Sequence, residues 1–368
     1  MVKVKQIPED FIVEEIFEKQ RHENRKEKGF YVWFTLKKKN WDTFSFLKTL
    51  SRALGISIKR FGYAGVKDRK AITYQKISVW NVPIEKLKKV KIKDIQMTDF
   101  QIKDERINIG DLKGNKFTVT IRDIDGNHMD RIKKNIEALK KEGFVNLFGG
   151  QRFGSKRMVT HLVGREIVKG NLKQAVWLYL TKSTKEEPRK TRRFRFMLKE
   201  GQDLKQALKT CPKGLRIEKA ILNHLISHPN DYAGALRKVP KKLRKMFVHA
   251  YQAYLWNKIA GLLAESVRPR TNIKIPMVGF GTDLKKYTFA DAIEKTLKEE
   301  LISPNDFLVK RMPELASEGD ERDFLVFPKD LSYIFERDEL NEDKMKCVLK
   351  FKLPKGSYAT VLLDEVIK

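Results

Sequence analysis

GYAGVKDRKAITYQ, residues 62–75, sets a single carboxylate, Asp68, between Lys67 on one side and Arg69 and Lys70 on the other, with Gly62 and Gly65 just ahead of it. The residues that follow, AITYQKISVW (71–80), are β-branched and aromatic and predict a strand, so Asp68 falls in the connection that enters it. The loop has two readings. As a turn, its glycines supply positive φ, its aspartate tolerates the bend and its cations are ordinary surface residues. As a functional loop on a rigid sheet, it holds a carboxylate that neighbouring cations keep ionised for work as nucleophile or base.

Outward from the loop, strands and helices alternate. FIVEEI (11–16) and the aromatic run in GFYVWFTLKKK (29–39) predict strands. NWDTFSFLKTLSRALG predicts a helix, with Phe44, Leu47, Leu50 and Leu54 at helical spacing, Asp42 or Thr43 as N-cap and Gly55 as its stop. LKGNKFTVTIR (112–122) predicts a strand entered through a Gly-Asn turn, and Met129, Ile132, Ile136 and Leu139 mark another helix. No strand is a long apolar run of the parallel-sheet kind, so the expected class is α+β, with helices on one side of the sheet. From about residue 145 helical patterns dominate: 162–180, 204–210, 216–228 and 243–264. β texture returns in VLKFKL and YATVLLDEV, read as two closing strands joined by PKGS. A chain that starts and ends in β texture around a helical block predicts one domain interrupted by another.

With 77 Lys+Arg against 47 Asp+Glu the net charge is +30, which favours a polyanionic partner because Lys and Arg displace counterions condensed on phosphates. A Lys- and Glu-rich surface of the heat-adapted kind explains many charges of both signs, but not such a surplus of one. The 41% apolar content predicts folded structure nearly throughout the 368 residues. No apolar run approaches the roughly 18–20 residues of a membrane span. The start MVKVKQIPEDF lacks the features of a secretory signal, and Cys211 and Cys347 form no metal or redox spacing, so a cytoplasmic location is expected.

GGQRFGSK (149–156) has the two glycines of a phosphate-binding loop, but Ser155 precedes Lys156 where the motif needs the reverse, which argues against an NTPase. His224 and His228 of HLISH lack the glutamate of a zinc hydrolase and read as a structural pair. In PRKTRRFRFMLK (188–199), Phe194 and Phe196 alternate with Arg193 and Arg195. As a strand it would pack both Phe inward, and in either reading Arg192, Arg193 and Arg195 stay available to phosphates.

Six blocks in order, from residue 5 to residue 366, resemble the TruD-type tRNA pseudouridine synthases. GYAGVKDRKAITYQ is similar to that family's AGxKDxxAxTxQ loop, LKGNKFTVTIR to its LxGNxF strand and NLFGGQRFG (146–154) to its NYFGxQRFG segment. KQIPEDFIVEE (5–15), HAYQAYLWN (249–257) and LPKGSYATVLLDEV (353–366) resemble its remaining segments. Leu147 departs from the family's usual aromatic and Asp364 from its common Arg, which leaves RNA contacts in those two segments unsupported.

The resemblance implies a pseudouridine synthase fold over 1–144 plus 323–368, interrupted by a mainly helical α/β insertion domain over 145–322 that grips RNA in a cleft between the two. It implies a stand-alone enzyme, monomer or weak dimer, that isomerises uridine in tRNA, at U13 by family analogy, with no cofactor, metal or membrane. Asp68 is then the catalytic carboxylate, supported by Lys67 and Lys5. Neighbouring side chains of extended backbone point apart, so Lys5 is at least as good an ion partner for Asp68 as Lys67. Phe117 matches the aromatic on which the extruded base stacks, and Asn115, Phe11 and Tyr358 match substrate-pocket positions. Arg69, Lys70, Arg152, Arg192, Arg193 and Arg195 are the candidates for the RNA backbone. The alternative is a tRNA- or RNA-binding protein, or an RNA chaperone, that keeps the fold without the chemistry.

Overall fold

A computed structural model describes residues 2–17, 30–154, 157–266 and 273–368. The chain divides into two compact units, Met1–Phe144 with Val326–Lys368, and Val145–Leu325. Gly29, Ser155 and Lys156, which figure in the motifs above, lie outside the described residues.

The first unit opens with β1 (Lys3–Val4), β2 (Phe11–Ile16) and β3 (Tyr31–Lys39), in which every second residue from Val32 to Lys38 is buried. Next comes α1 (Thr43–Leu54), capped by Asp42 and stopped by Gly55 in the left-handed region. Its buried stripe is Phe46, Leu47 and Leu50; Phe44, read above as part of that stripe, is exposed. β4 (Phe61–Tyr63), β5 (Ile72–Trp80), α2 (Ile84–Lys89), β6 (Ile95–Lys103), β7 (Gly114–Ile124), α3 (Gly126–Glu142) and β8 (Phe144–Val145) follow.

In the second unit, α4 (Thr160–Val168), α5 (Leu172–Thr181), α6 (Arg189–Lys199), α7 (Leu204–Thr210), α8 (Arg216–Ser227), α9 (Tyr232–Arg237), α10 (Lys241–Ser266) and α11 (Ala290–Glu300) build a helical core around Trp256, Tyr251 and Phe307. β9 (Lys274–Met277) pairs with β10 (Asp320–Asp323). Arg189–Lys199 is helix, not strand: Thr191, Phe194, Arg195 and Leu198 form its buried stripe and Phe196 points to solvent. The two ends of the unit are tied together, since Asn146 N–H donates to Phe324 O (2.8 Å) and Arg322 donates to Asn146 O. His224 stacks on His228 and pairs with Asp231 at 2.8 Å.

After β11 (Leu325–Val326) the chain returns to the first unit as β12 (Lys329–Arg337), β13 (Met345–Pro354) and α12 (Ala359–Ile367). The last of these overturns the expected second closing strand: Ala359, Leu362, Leu363 and Val366 bury a stripe of helical spacing. The completed sheet runs β12-β13-β7-β2-β5-β3-β6, in which β2 and β5 are parallel and the other neighbours antiparallel. Cross-strand partners share a face, so Leu36, Gln75, Thr73, Val13, Phe117 and Phe351 line one side. α1 and α2 cover that side near β3 and β5, and α3 places Lys133 and Lys140 over Phe335 and Tyr333 at the other end. Gly114 and Asn115 are strand residues paired with Pro354 and Leu353, not a turn. A Cβ on Gly114 would meet Leu353 O at 2.2 Å, so glycine is kept there by close approach.

Candidate active site

The 64–71 loop is fixed from beneath by buried side chains. Lys38 ends the alternating buried stripe of β3 and is completely buried. Its ammonium donates to the carbonyls of Asp68 (2.8 Å), Trp41 and, at 3.4 Å, Lys67. Burial pushes its pKa down from 10.5 to about 8, against the opposing pull of Asp68 and Asp42. Thr43 Oγ1 accepts from Lys67 N–H (3.0 Å) and donates to Gln75 Oε1 (2.9 Å), while Gln75 Nε2 donates to Gly65 O. Neither Gly62 nor Gly65 has positive φ, which corrects the turn reading of the glycines. Gly62 lies in β4, where a Cβ would meet Ile107 O at 2.3 Å and Ser78 Oγ at 2.5 Å.

Asp68 is half-buried, and its Oδ2 accepts from Lys5 Nζ at 2.8 Å. Lys5 reaches it with φ at +59°, a left-handed conformation that is uncommon for a residue with a Cβ. The same ammonium lies 3.7 Å from the centre of the Phe11 ring. Phe11 meets Phe117 edge-on (centroids 6.1 Å, 66°), and Phe351 stacks on Phe117 at 5.2 Å. Phe117 is 7% exposed. Lys5, Phe11, Asp68 and Phe117 are therefore linked through successive contacts in one unit.

Lys67 points elsewhere. Its ammonium donates to Asn115 Oδ1 (2.8 Å) and forms an ion pair with Glu15 at 2.9 Å. The Glu15 side chain is almost wholly buried and its other oxygen accepts from Lys76 N–H. Burial raises the Glu15 pKa, with Lys67 opposing that rise. Of the two lysines it is thus Lys5 that pairs with Asp68, and Lys67 neutralises a buried glutamate while it orients Asn115. Lys38 and Glu15 were missed as site residues, although the period-two pattern Val32-Phe34-Leu36-Lys38 and its counterpart Phe11-Val13-Glu15 put both on the inner face.

Tyr358 stands at the N-cap of α12, five residues beyond Leu353, the partner of Asn115. Arg69 donates to Asn40 O and Lys70 is exposed. In the second unit, Arg192 and Arg193 are exposed, and the Arg152 guanidinium lies 5.7 Å from the Phe148 ring. Arg195 does not belong with the backbone candidates. It is 2% exposed, bound to Glu218 (2.7 Å) and Glu187 (3.0 Å) and to the carbonyls of Tyr179 and Leu180, so its charge is spent inside the core.

The sequence matches the family model described as tRNA pseudouridine synthase D (TruD) over residues 1–269 and 263–366. The chain belongs to the tRNA pseudouridine synthase D family. A Methanosarcina acetivorans protein named "Probable tRNA pseudouridine synthase D" is 38% identical, with 100% of this chain and 92% of that one covered. A Methanocaldococcus jannaschii protein named "Probable tRNA pseudouridine synthase D 1" is 34% identical over 99% of this chain and 95% of its own. The crystal structure of a Methanosarcina mazei protein assigned to tRNA pseudouridine synthase D superposes with a TM-score of 0.81 at 35% identity, covering 99% of this chain and 93% of that chain. The TruD fold is accordingly the fold of this chain. Among the described residues no helix is long and apolar enough to cross a membrane.

Proposed function

We propose that this TruD-family enzyme converts a uridine of tRNA, U13, to pseudouridine, with Asp68 as the reacting carboxylate. Isomerisation of tRNA uridine follows from the family; the position and the residue roles are our reading. The observation that carries it is the Lys5–Asp68 pair at 2.8 Å, beside an aromatic group and on a loop anchored by buried side chains. A carboxylate covered by a flipped base loses water, and the Lys5 ammonium gives it a fixed counter-charge when that happens.

The reaction breaks the N1–C1′ bond, turns the uracil while it stays bound, and joins C5 to C1′, after which the C5 proton is lost. Asp68 serves by attacking C1′, by attacking the ring, or by taking the C2′ proton to give a glycal. Phe351 covers one face of Phe117, so a base stacks on the other, and at 7% exposure that requires neighbouring side chains to move aside. Asn115, held by Lys67, presents an amide to the base edge. The second unit serves as the RNA-gripping insertion, with Arg192 and Arg193 exposed toward phosphates.

The test compares wild type with Asp68→Ala and Asp68→Asn on a tRNA transcript, mapping pseudouridine by chemical adducts and binding by gel shift. Lost modification with binding largely kept is expected. Wild-type turnover in either variant removes Asp68 from the chemistry, and product at a uridine other than U13 removes the positional assignment alone.

A further inference from the structure

On the opposite side of the sheet lies a cavity of about 1190 Å³ to which none of the residues assigned above contributes. Trp33 and Lys76 reach it because they alternate with Phe34 and Ile77 of the inner face. Phe17 meets Trp33 edge-on (6.3 Å, 64°), and the Trp33 indole N–H donates to Glu105 O (2.6 Å), so the ring is fixed on two sides. Lys76 is half-buried, donates to the Thr35 hydroxyl (2.7 Å) and forms no ion pair among the described residues. Burial lowers its pKa, Asp99 opposes this and Lys103 adds to it. Arg106 and Lys355 also line the cavity, their side chains bonded among the described residues to the carbonyls of Phe61 and Gly110; with Lys76, Lys103 and Lys113 they make five cations against the three carboxylates Asp104, Glu105 and Asp111.

An aromatic ring pinned by its neighbours in a cavity where cations outnumber carboxylates is the equipment for a nucleotide: a base on the ring, a phosphate on the ammoniums. The cavity shares strands with the candidate active site. Lys76 N–H is bound by Glu15, and Lys355 N–H donates to Lys113 O, two residues before Asn115.

We infer that this cavity seats a single-stranded nucleotide of the substrate RNA, several nucleotides from the target uridine, with its base on Trp33 and its phosphate on Lys76 and Lys355. The inference rests on the RNA-modifying reading, and RNA that turned round the strand ends at 113–115 and 355–358 would occupy both faces of the sheet.

The experiment uses the full chain and a tRNA transcript carrying 4-thiouridine, photocrosslinked and mapped by peptide mass spectrometry, together with steady-state kinetics of Lys76→Gln, Lys355→Ala and Trp33→Leu. Lys48→Ala, an exposed lysine of α1, is the charge control. The expected result is a crosslink in the peptide containing Trp33 and KM raised about fivefold to tenfold in the variants with kcat kept. The slope of log affinity against log salt falls by about one for each lysine beyond any fall in the control. Lys355 is exposed, so its variant reads the site even where Trp33→Leu fails to fold. A crosslink at Trp33 in protein that makes no pseudouridine leaves the subsite standing and overturns the synthase reading. Turnover with no crosslink there, and variants that match Lys48→Ala in KM and salt slope, overturns the subsite alone.

Discussion

Lys38→Met tests the account of the loop's foundation. The drop of the Lys38 pKa from 10.5 to about 8 corresponds to about 3 kcal/mol against the buried ammonium. The folded-state value lies below the unfolded one, which fixes the sign. Below about pH 8 both states are protonated and the fold bears the whole cost. Between about pH 8 and about pH 10.4 the folded lysine is neutral while the unfolded one keeps its proton, so stability attributable to Lys38 rises through that window. At neutral pH the methionine variant relieves the charge but leaves the carbonyls of Trp41 and Asp68 without that donor, at about 1–3 kcal/mol. The two changes nearly cancel there. Urea unfolding of both proteins at about pH 7.5 and about pH 10.5 should show wild type gaining on the variant by up to about 3 kcal/mol. A difference constant within about 0.5 kcal/mol across that range would refute the reasoning.

Lys5→Gln, which removes the Lys5–Asp68 ion pair, should lower kcat about a hundredfold with little change in stability. Lys67→Gln strands the buried Glu15 carboxylate and should cost about 3–5 kcal/mol of stability; kinetics and urea unfolding of the pair separate the two roles, and the reverse pattern would assign them wrongly. Arg195→Met leaves Glu187 and Glu218 without their shared cation, so its second unit should lose about 3–5 kcal/mol, seen as an earlier unfolding transition; an unaltered transition together with weaker tRNA binding would return Arg195 to the RNA surface.

The strands on either side of Asp68 were legible because alternation and β-branching agree in β2, β3 and β5. Misreadings arose where one string satisfies two periods. RRFRF alternates, but Thr191, Phe194, Arg195 and Leu198 also stand at i, i+3, i+4 and i+7, and the helix satisfies Arg195 with two carboxylates that a sequence cannot place beside it. YATVLLDEV carries β-branched residues and a helical stripe at once, and packing beside α3 selects the helix. In α1, Phe44 and Phe46 fit equally good helical stripes, and only the position of the sheet chooses Phe46. The site residues that came from the motifs lie together around Lys5 and Asp68, yet the question of which lysine meets Asp68 needed the left-handed turn at Lys5, which no residue type there announces.

The tie between Asn146 and Phe324 has a consequence in time. β7 is synthesised long before its partner β13, and Phe117 waits for Phe351 through the whole of the second unit. At roughly 5–20 residues per second that delay is on the order of tens of seconds. A disordered intervening chain of about 180 residues would have to be closed into a loop before β13 could dock, at about 3 kcal/mol more than a turn of a few residues. A second unit that folds first, with its two ends already bonded to each other, acts as a splint: it delivers the last strands back to the point where the first ones stopped, and the aromatic floor under the candidate site is laid last.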